Sequence, residues 1–169
     1  RYPIGRLERR GPLDAAAREQ EFATLAAVPD RLEAAVRGLR AAELDLRYRD
    51  GGWTLRQVVH HLADSHLNAY LRCKLTITEV DPPVKAYDEN AWAALVDANG
   101  PIEPSLAIVR AIHTRWLHCL SSLDAATFAR TCRHSENGVM SLDDLVAMYA
   151  WHGAHHVAHI MLARTRRGI

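Results

Sequence analysis

The stretch Tyr149-Ala-Trp-His-Gly-Ala-His-His-Val-Ala-His159 places four histidines within eight positions near the end of the chain. His152 and His156 are four residues apart, so on an α-helix they stand one turn above the other and can hold one ion between them. Leu145, Tyr149, His152, His156 and Ile160 follow steps of three and four, which carries an apolar stripe through both histidines and predicts a core-facing helix. His155 and His159 fall on a neighbouring face beside Met148 and Trp151, as a second layer around the first pair or as surface histidines. Upstream, Ser141 and Asp144 form a capping box with Met140 and Leu145 at the staple positions, so the helix is expected to run from there to about Arg167. Arg164, Arg166 and Arg167 then sit as favourable cations at its C-terminus.

A second dense cluster, His60-His61-Leu-Ala-Asp-Ser-His66, lies some ninety residues earlier. The turn Arg49-Asp-Gly-Gly52 precedes Thr54, which can cap a helix with Gln57 as its reciprocal partner, and the helix can run to about Thr78 before Asp81-Pro-Pro83 stops it. His61 shares a face with Val58, Leu62 and Ser65, whereas His60 points about 100° away, which gives His61 a small edge. Two helices of one bundle converging on an ion explain both clusters. Three neutral imidazoles leave a tetrahedral ion with one open position, the arrangement of a catalytic zinc site.

Helical periodicity extends over the rest of the chain, and the fold is expected to be all-α. One helical stretch covers about Pro12 to Ala27 and another begins at Pro29, as a helical hairpin or as one kinked helix. Pro104 opens a further helix to about Leu123. Asp88 caps a short helix in the connection between Pro82 and Gly100, and Arg130 to Met140 reads as an irregular turn or short hairpin. Four principal helices with short extra helices make a four-helix bundle, where metal sites are built from inward-facing side chains of different helices.

At 169 residues and 49% hydrophobic composition, residues 1–169 are expected to form one domain. The formal charge of +1, from 21 Lys plus Arg against 20 Asp plus Glu, gives no sign of a nucleic-acid or membrane binder. No apolar run reaches the roughly 20 residues of a membrane span. A cytoplasmic protein is expected, although numbering that opens on Arg1 leaves room for a preceding segment. Cys73, Cys119 and Cys132 form no Cys-x-x-Cys pair, so reduced thiols are expected, with Cys73 and Cys119 buried as small hydrophobes.

Taken together, Tyr2-Pro-Ile-Gly5, Tyr48-Arg-Asp-Gly-Gly-Trp-Thr54, Val58-Val-His-His-Leu-Ala-Asp-Ser-His66, Tyr87-Asp-Glu-Asn-Ala-Trp92 and Trp151-His-Gly-Ala-His-His-Val-Ala-His-Ile160 resemble the DinB-like superfamily and, within it, the YfiT-type metal-dependent hydrolases. The resemblance implies an up-and-down helical bundle that binds zinc or nickel, one ion per chain, through three histidines, often in a homodimer. Carried over by residue, the ligands are His61, His152 and His156.

The leading expectation is a hydrolase that activates water on this ion and acts on a small molecule. The alternative is transfer of a low-molecular-weight thiol of the bacillithiol type, because coordination deprotonates sulfur. From another class comes a stress-response binding protein in which the metal only pins the bundle. Asp64, His155 and His159 are candidate catalytic helpers, able to orient a ligand imidazole or move a proton.

Overall fold

The computed structural model describes residues 2–7 and 11–169; Arg1 and residues 8–10 lie outside the description. Four long helices carry the fold. The first, α1 (Ala15–Val36), starts where the Asp14 carboxylate accepts the Ala17 N–H at 2.8 Å. It continues through Pro29, so the two stretches expected on either side of that residue are one helix. Pro29 has no N–H for the carbonyl four residues back, and the Leu25 carbonyl is left without its helical donor.

A short helix, α2 (Ala41–Leu44), leads to α3 (Leu55–Thr78), which opens on the Thr54–Gln57 capping box. After α3 the chain crosses over through β1 (Pro83–Val84), α4 (Glu89–Ala93) and a 3-10 turn at Val96–Asn99. It then enters α5 (Glu103–Leu120), followed by α6 (Ala125–Phe128) and a hairpin of β2 (Thr131–His134) and β3 (Gly138–Ser141). The hairpin expected between Arg130 and Met140 pairs β1 in parallel with β2, a three-stranded patch that ties the crossover to the bundle. The last helix, α7 (Leu142–Arg167), begins at the Ser141–Asp144 capping box.

Helix α1 packs between α5 and α7, and α3 lies diagonally opposite between the same two. Arg18 pairs with Asp143 near the starts of α1 and α7, and Arg164 donates to the Ala35 carbonyl near their ends, so these two helices run parallel. His60 with Ser105 and His66 with His113 show that α3 and α5 also run parallel. In chain order the long helices therefore go up, down, down, up. A parallel neighbour requires a long return, which is why the α3–α5 connection is an extended crossover rather than a tight turn.

The apolar core has two halves. One gathers Val28, Leu32, Leu55, Val58, Leu62 and Ile160; the other gathers Leu25, Cys73, Trp116, Leu120, Leu145 and Tyr149. Between them, at the level of Leu25 to Val28, sits a layer of histidines from α3, α5 and α7. Gly153 lets α1 and α7 meet there, since a Cβ at this position would lie 2.6 Å from Val28 Cγ2 and 3.3 Å from His66 Cε1. Cys73 and Cys132 are buried, whereas Cys119 is half-buried rather than fully inside. Among the described residues no helix is long and apolar enough to cross a membrane.

Candidate metal centre

Helix phase decides which histidines can meet. His61 on α3 projects toward α7, where His152 and His156 occupy successive turns, and one ring nitrogen from each of the three lies within 4.8 Å of the others. His61 Nε2 and His152 Nε2 are 3.1 Å apart. Two nitrogens on one tetrahedral ion at ~2.0–2.1 Å would be about 3.3 Å apart, so this spacing suits a shared ion. His156 adds a buried Nδ1 without a hydrogen-bond partner, the kind of nitrogen that an ion close by would relieve. The donor set of three imidazoles therefore fits a divalent transition metal.

Burial keeps these rings neutral, as ligands must be. It holds His61 at about 4, well under its ordinary value of 6.5. His152 and His156 are likewise held well below that ordinary value, by burial first and by neighbouring histidines next.

Behind the cluster the protons have only one arrangement. The Leu25 carbonyl can only accept, so His113 Nδ1, 2.8 Å away, donates to it. Neutral His113 then offers a lone pair at Nε2, and His66 Nδ1 donates to it at 2.8 Å. His66 Nε2 in turn accepts from His152 Nδ1 at 3.3 Å. His152 is thus left with a lone pair at Nε2, the atom facing His61. The carbonyl that starts this relay is the one Pro29 leaves without a helical partner.

Of the other candidates, His60 turns away to Ser105 Oγ at 2.7 Å and the Gly100 carbonyl at 3.2 Å. Asp64 is half-buried, its carboxyl raised by burial and then by Asp97. The surface reading of His155 and His159 is corrected, because each is only 6% exposed. His155 stacks on Trp151 with ring centroids 4.4 Å apart, and Tyr48 packs at 4.4 Å on His159. The segment around Tyr2 to Gly5 covers them further, with Trp151 Nε1 donating to the Gly5 carbonyl.

Two cavities open beside the cluster. One, of about 420 Å³, is lined by Tyr48, Trp53, Trp151, His152, His155 and His156 among others. The second, of about 490 Å³, holds Ser65, Tyr87, His134 and Tyr149 and also reaches His152. Glu89 borders both, and its Oε2 lies 3.8 Å from His61 Nε2. Although its side chain is 56% exposed, partial burial, followed by Glu136 and Asp88, raises its carboxyl. Sequence reasoning passed over Glu89 in favour of Asp88, which caps α4 by accepting the Asn90 and Ala91 N–H groups. It also passed over His113, an isolated histidine within an apolar stripe.

With this geometry in hand, likeness to known proteins becomes informative. A family model described as the DinB superfamily matches residues 24–160. A "Putative metal-dependent hydrolase" of Oceanobacillus iheyensis is 46% identical over 160 residues, covering 95% of this chain and 93% of its own length. One from Bacillus mycoides is 42% identical over 166 residues, covering 98% and 96%. Among solved structures, YfiT from Bacillus subtilis superimposes with a TM-score of 0.96 at 40% identity, over 99% of this chain and 97% of that one. YfiT is described as "a probable metal-dependent hydrolase with an unusual four-helix bundle topology".

Proposed function

The chain belongs to the DinB superfamily, and from that premise we propose that it is a metal-dependent hydrolase in which His61, His152 and His156 hold one divalent ion, zinc or nickel. The observation that carries the reading is the approach of three neutral ring nitrogens to within 4.8 Å on two antiparallel helices. When bound, such an ion supplies Lewis acidity, lowering the pKa of water toward about 7 or polarising a carbonyl or phosphoryl oxygen.

The remaining work falls to side chains. His66 and His113 keep the His152 proton on Nδ1, so that Nε2 stays available. The Trp53 ring, 4.7 Å from that of His61, excludes water from one flank of the cluster. Glu89 Oε2 takes the proton of the attacking nucleophile and returns it to the leaving group. A metal that merely pinned the bundle would call for a fourth protein ligand. Among the described residues the group comprises three.

One observation favours a second reading, transfer of a low-molecular-weight thiol. Hydrolysis needs room for one substrate, yet two cavities meet at His152, as a reaction between two bound molecules would use. A cytoplasmic homodimer acting on a small molecule completes the proposal.

The first test is metal content of protein purified without added metal or affinity tag, compared between wild type and His61→Ala. About one ion per chain, lost in the variant, supports the site; no ion in either, with reconstitution also failing, removes it. Metal-loaded protein is then assayed on ester and amide panels with and without a small thiol. Turnover that requires the thiol replaces hydrolysis with the transferase reading.

A further inference from the structure

Arg72 lies on α3, about three turns beyond His61, with its side chain pointing into the body of the protein at 7% exposure. A guanidinium cannot be neutralised at any ordinary pH, and a buried cation normally has a carboxylate beside it. Among the described residues none pairs with Arg72. Its two hydrogen bonds go to neutral oxygens, the Tyr149 hydroxyl and the Lys85 carbonyl. Five N–H donors less two leaves three without an acceptor among the described residues.

Arg72 also lines the 490 Å³ cavity that reaches His152, a volume within the range of small-molecule sites. Tyr149 joins the two ends of this cavity, since its hydroxyl accepts from Arg72 while its ring centroid is 6.0 Å from that of His152. His134 stands on the same wall. Its Nδ1 faces the Glu136 and Asn137 backbone N–H groups at 3.3 Å, which places its proton on Nε2 as a further donor. The carboxylates that line this cavity, Asp88, Glu89 and Glu136, are exposed residues at its rim. Charge in the cavity is therefore graded, with the cation inside and the carboxylates at the mouth.

We propose that Arg72 is a substrate-anchoring residue, binding a carboxylate of a small-molecule substrate whose scissile group is thereby presented to the His61, His152 and His156 cluster. The planar fork of a guanidinium matches a carboxylate bidentately, and burial strengthens that pairing relative to one at the surface. The substrate class is a small carboxylic acid with a hydrolysable or transferable group a short distance from the carboxylate. This inference rests on the proposed metal centre for what happens to the substrate, but not for its binding.

Binding can accordingly be read on metal-free protein. Succinate, its neutral analogue succinamide and inorganic phosphate are titrated into wild type, Arg72→Lys and Arg72→Met, following thermal stability and the amide spectrum of the residues around Tyr149. Succinate is expected to stabilise wild type and to shift those signals, with succinamide inert and phosphate weaker. Arg72→Lys keeps the charge but not the fork and is expected to weaken succinate roughly tenfold or more; Arg72→Met abolishes the response. If Arg72→Met fails to fold, the wild-type comparison still decides. Equal responses to succinate and succinamide, or a succinate response undiminished in Arg72→Lys, overturn the proposal. Carboxylate binding without turnover of carboxylate-bearing esters or amides by metal-loaded protein leaves the anchor standing and removes the hydrolase reading.

Discussion

Replacing His113 with Phe is the sharpest test of how the histidine layer works. The substitution keeps an aromatic ring against Trp116, now 6.0 Å from the His113 ring, but deletes both hydrogen bonds that His113 makes. The Leu25 carbonyl and the His66 Nδ1–H would then be buried without partners. Each costs about 1–3 kcal/mol, so the fold should lose about 2–6 kcal/mol, less whatever the apolar ring recovers. The larger consequence lies two residues away along the relay. With His66 released, nothing holds the His152 proton on Nδ1, and it can move to the nitrogen facing His61. Losing such an orienting partner costs about 10–100-fold in metal affinity. His113→Gln is the control, because its carboxamide can donate to the Leu25 carbonyl and accept from His66. Zinc affinity is measured by chelator competition and the His152 tautomer by 15N imidazole shifts. The Phe variant should lose affinity and show mixed tautomers, while Gln recovers both. Wild-type affinity and an unchanged His152 tautomer in His113→Phe would refute the relay.

Acidification should unfold the metal-free protein early. His61 and His113 are held at about 4 by burial, whereas in the unfolded chain they protonate near 6.5, so the stability present above 6.5 is lost as pH falls toward 4. A fall from 6.5 to about 4, at roughly 1.4 kcal/mol per pH unit, is ~3–4 kcal/mol for each ring, and urea unfolding that is flat between pH 7 and 5 would contradict it. Gly153→Ala should gain about 1 kcal/mol of helix propensity but lose about 1–3 kcal/mol to the contact at 2.6 Å with Val28. A melting temperature lowered by a few degrees and restored by adding Val28→Ala is expected, and a rise in the single variant would refute the contact. Asp143→Asn should cost about 3 kcal/mol, because Asp143 is 3% exposed and holds Arg18 and the Leu13 N–H. Wild-type stability in denaturant would show that the pair contributes nothing.

What could be read from the chain follows the range of the forces involved. The Thr54 and Ser141 capping boxes join residues three apart, and both helices begin where those boxes place them. The His152 and His156 spacing is likewise local, and His61 met them because helix phase allowed only one of two adjacent histidines to face α7. His113 resisted detection because its partners are a carbonyl 88 residues away and a histidine 47 residues away, and nothing in α5 itself distinguishes it from a core histidine. Glu89 lies in a block legible as a capped turn, but its position beside His61 depends on how the crossover folds back over the bundle. His155 and His159 fell on a face that helix phase alone leaves outside, before Tyr48 and the first residues of the chain close over it.

Pro29 sets stability against function. A proline inside a helix costs about 3 kcal/mol, so Pro29→Ala is a change that any screen for thermal tolerance would favour. Alanine would return an N–H to the Leu25 carbonyl, which would then be shared with His113, and the proton arrangement behind His152 would loosen as the helix improved. A chain optimised only for resistance to heat would thus drift toward a better-formed helix and a less well-defined metal centre, and selection for activity is what would retain the imperfection.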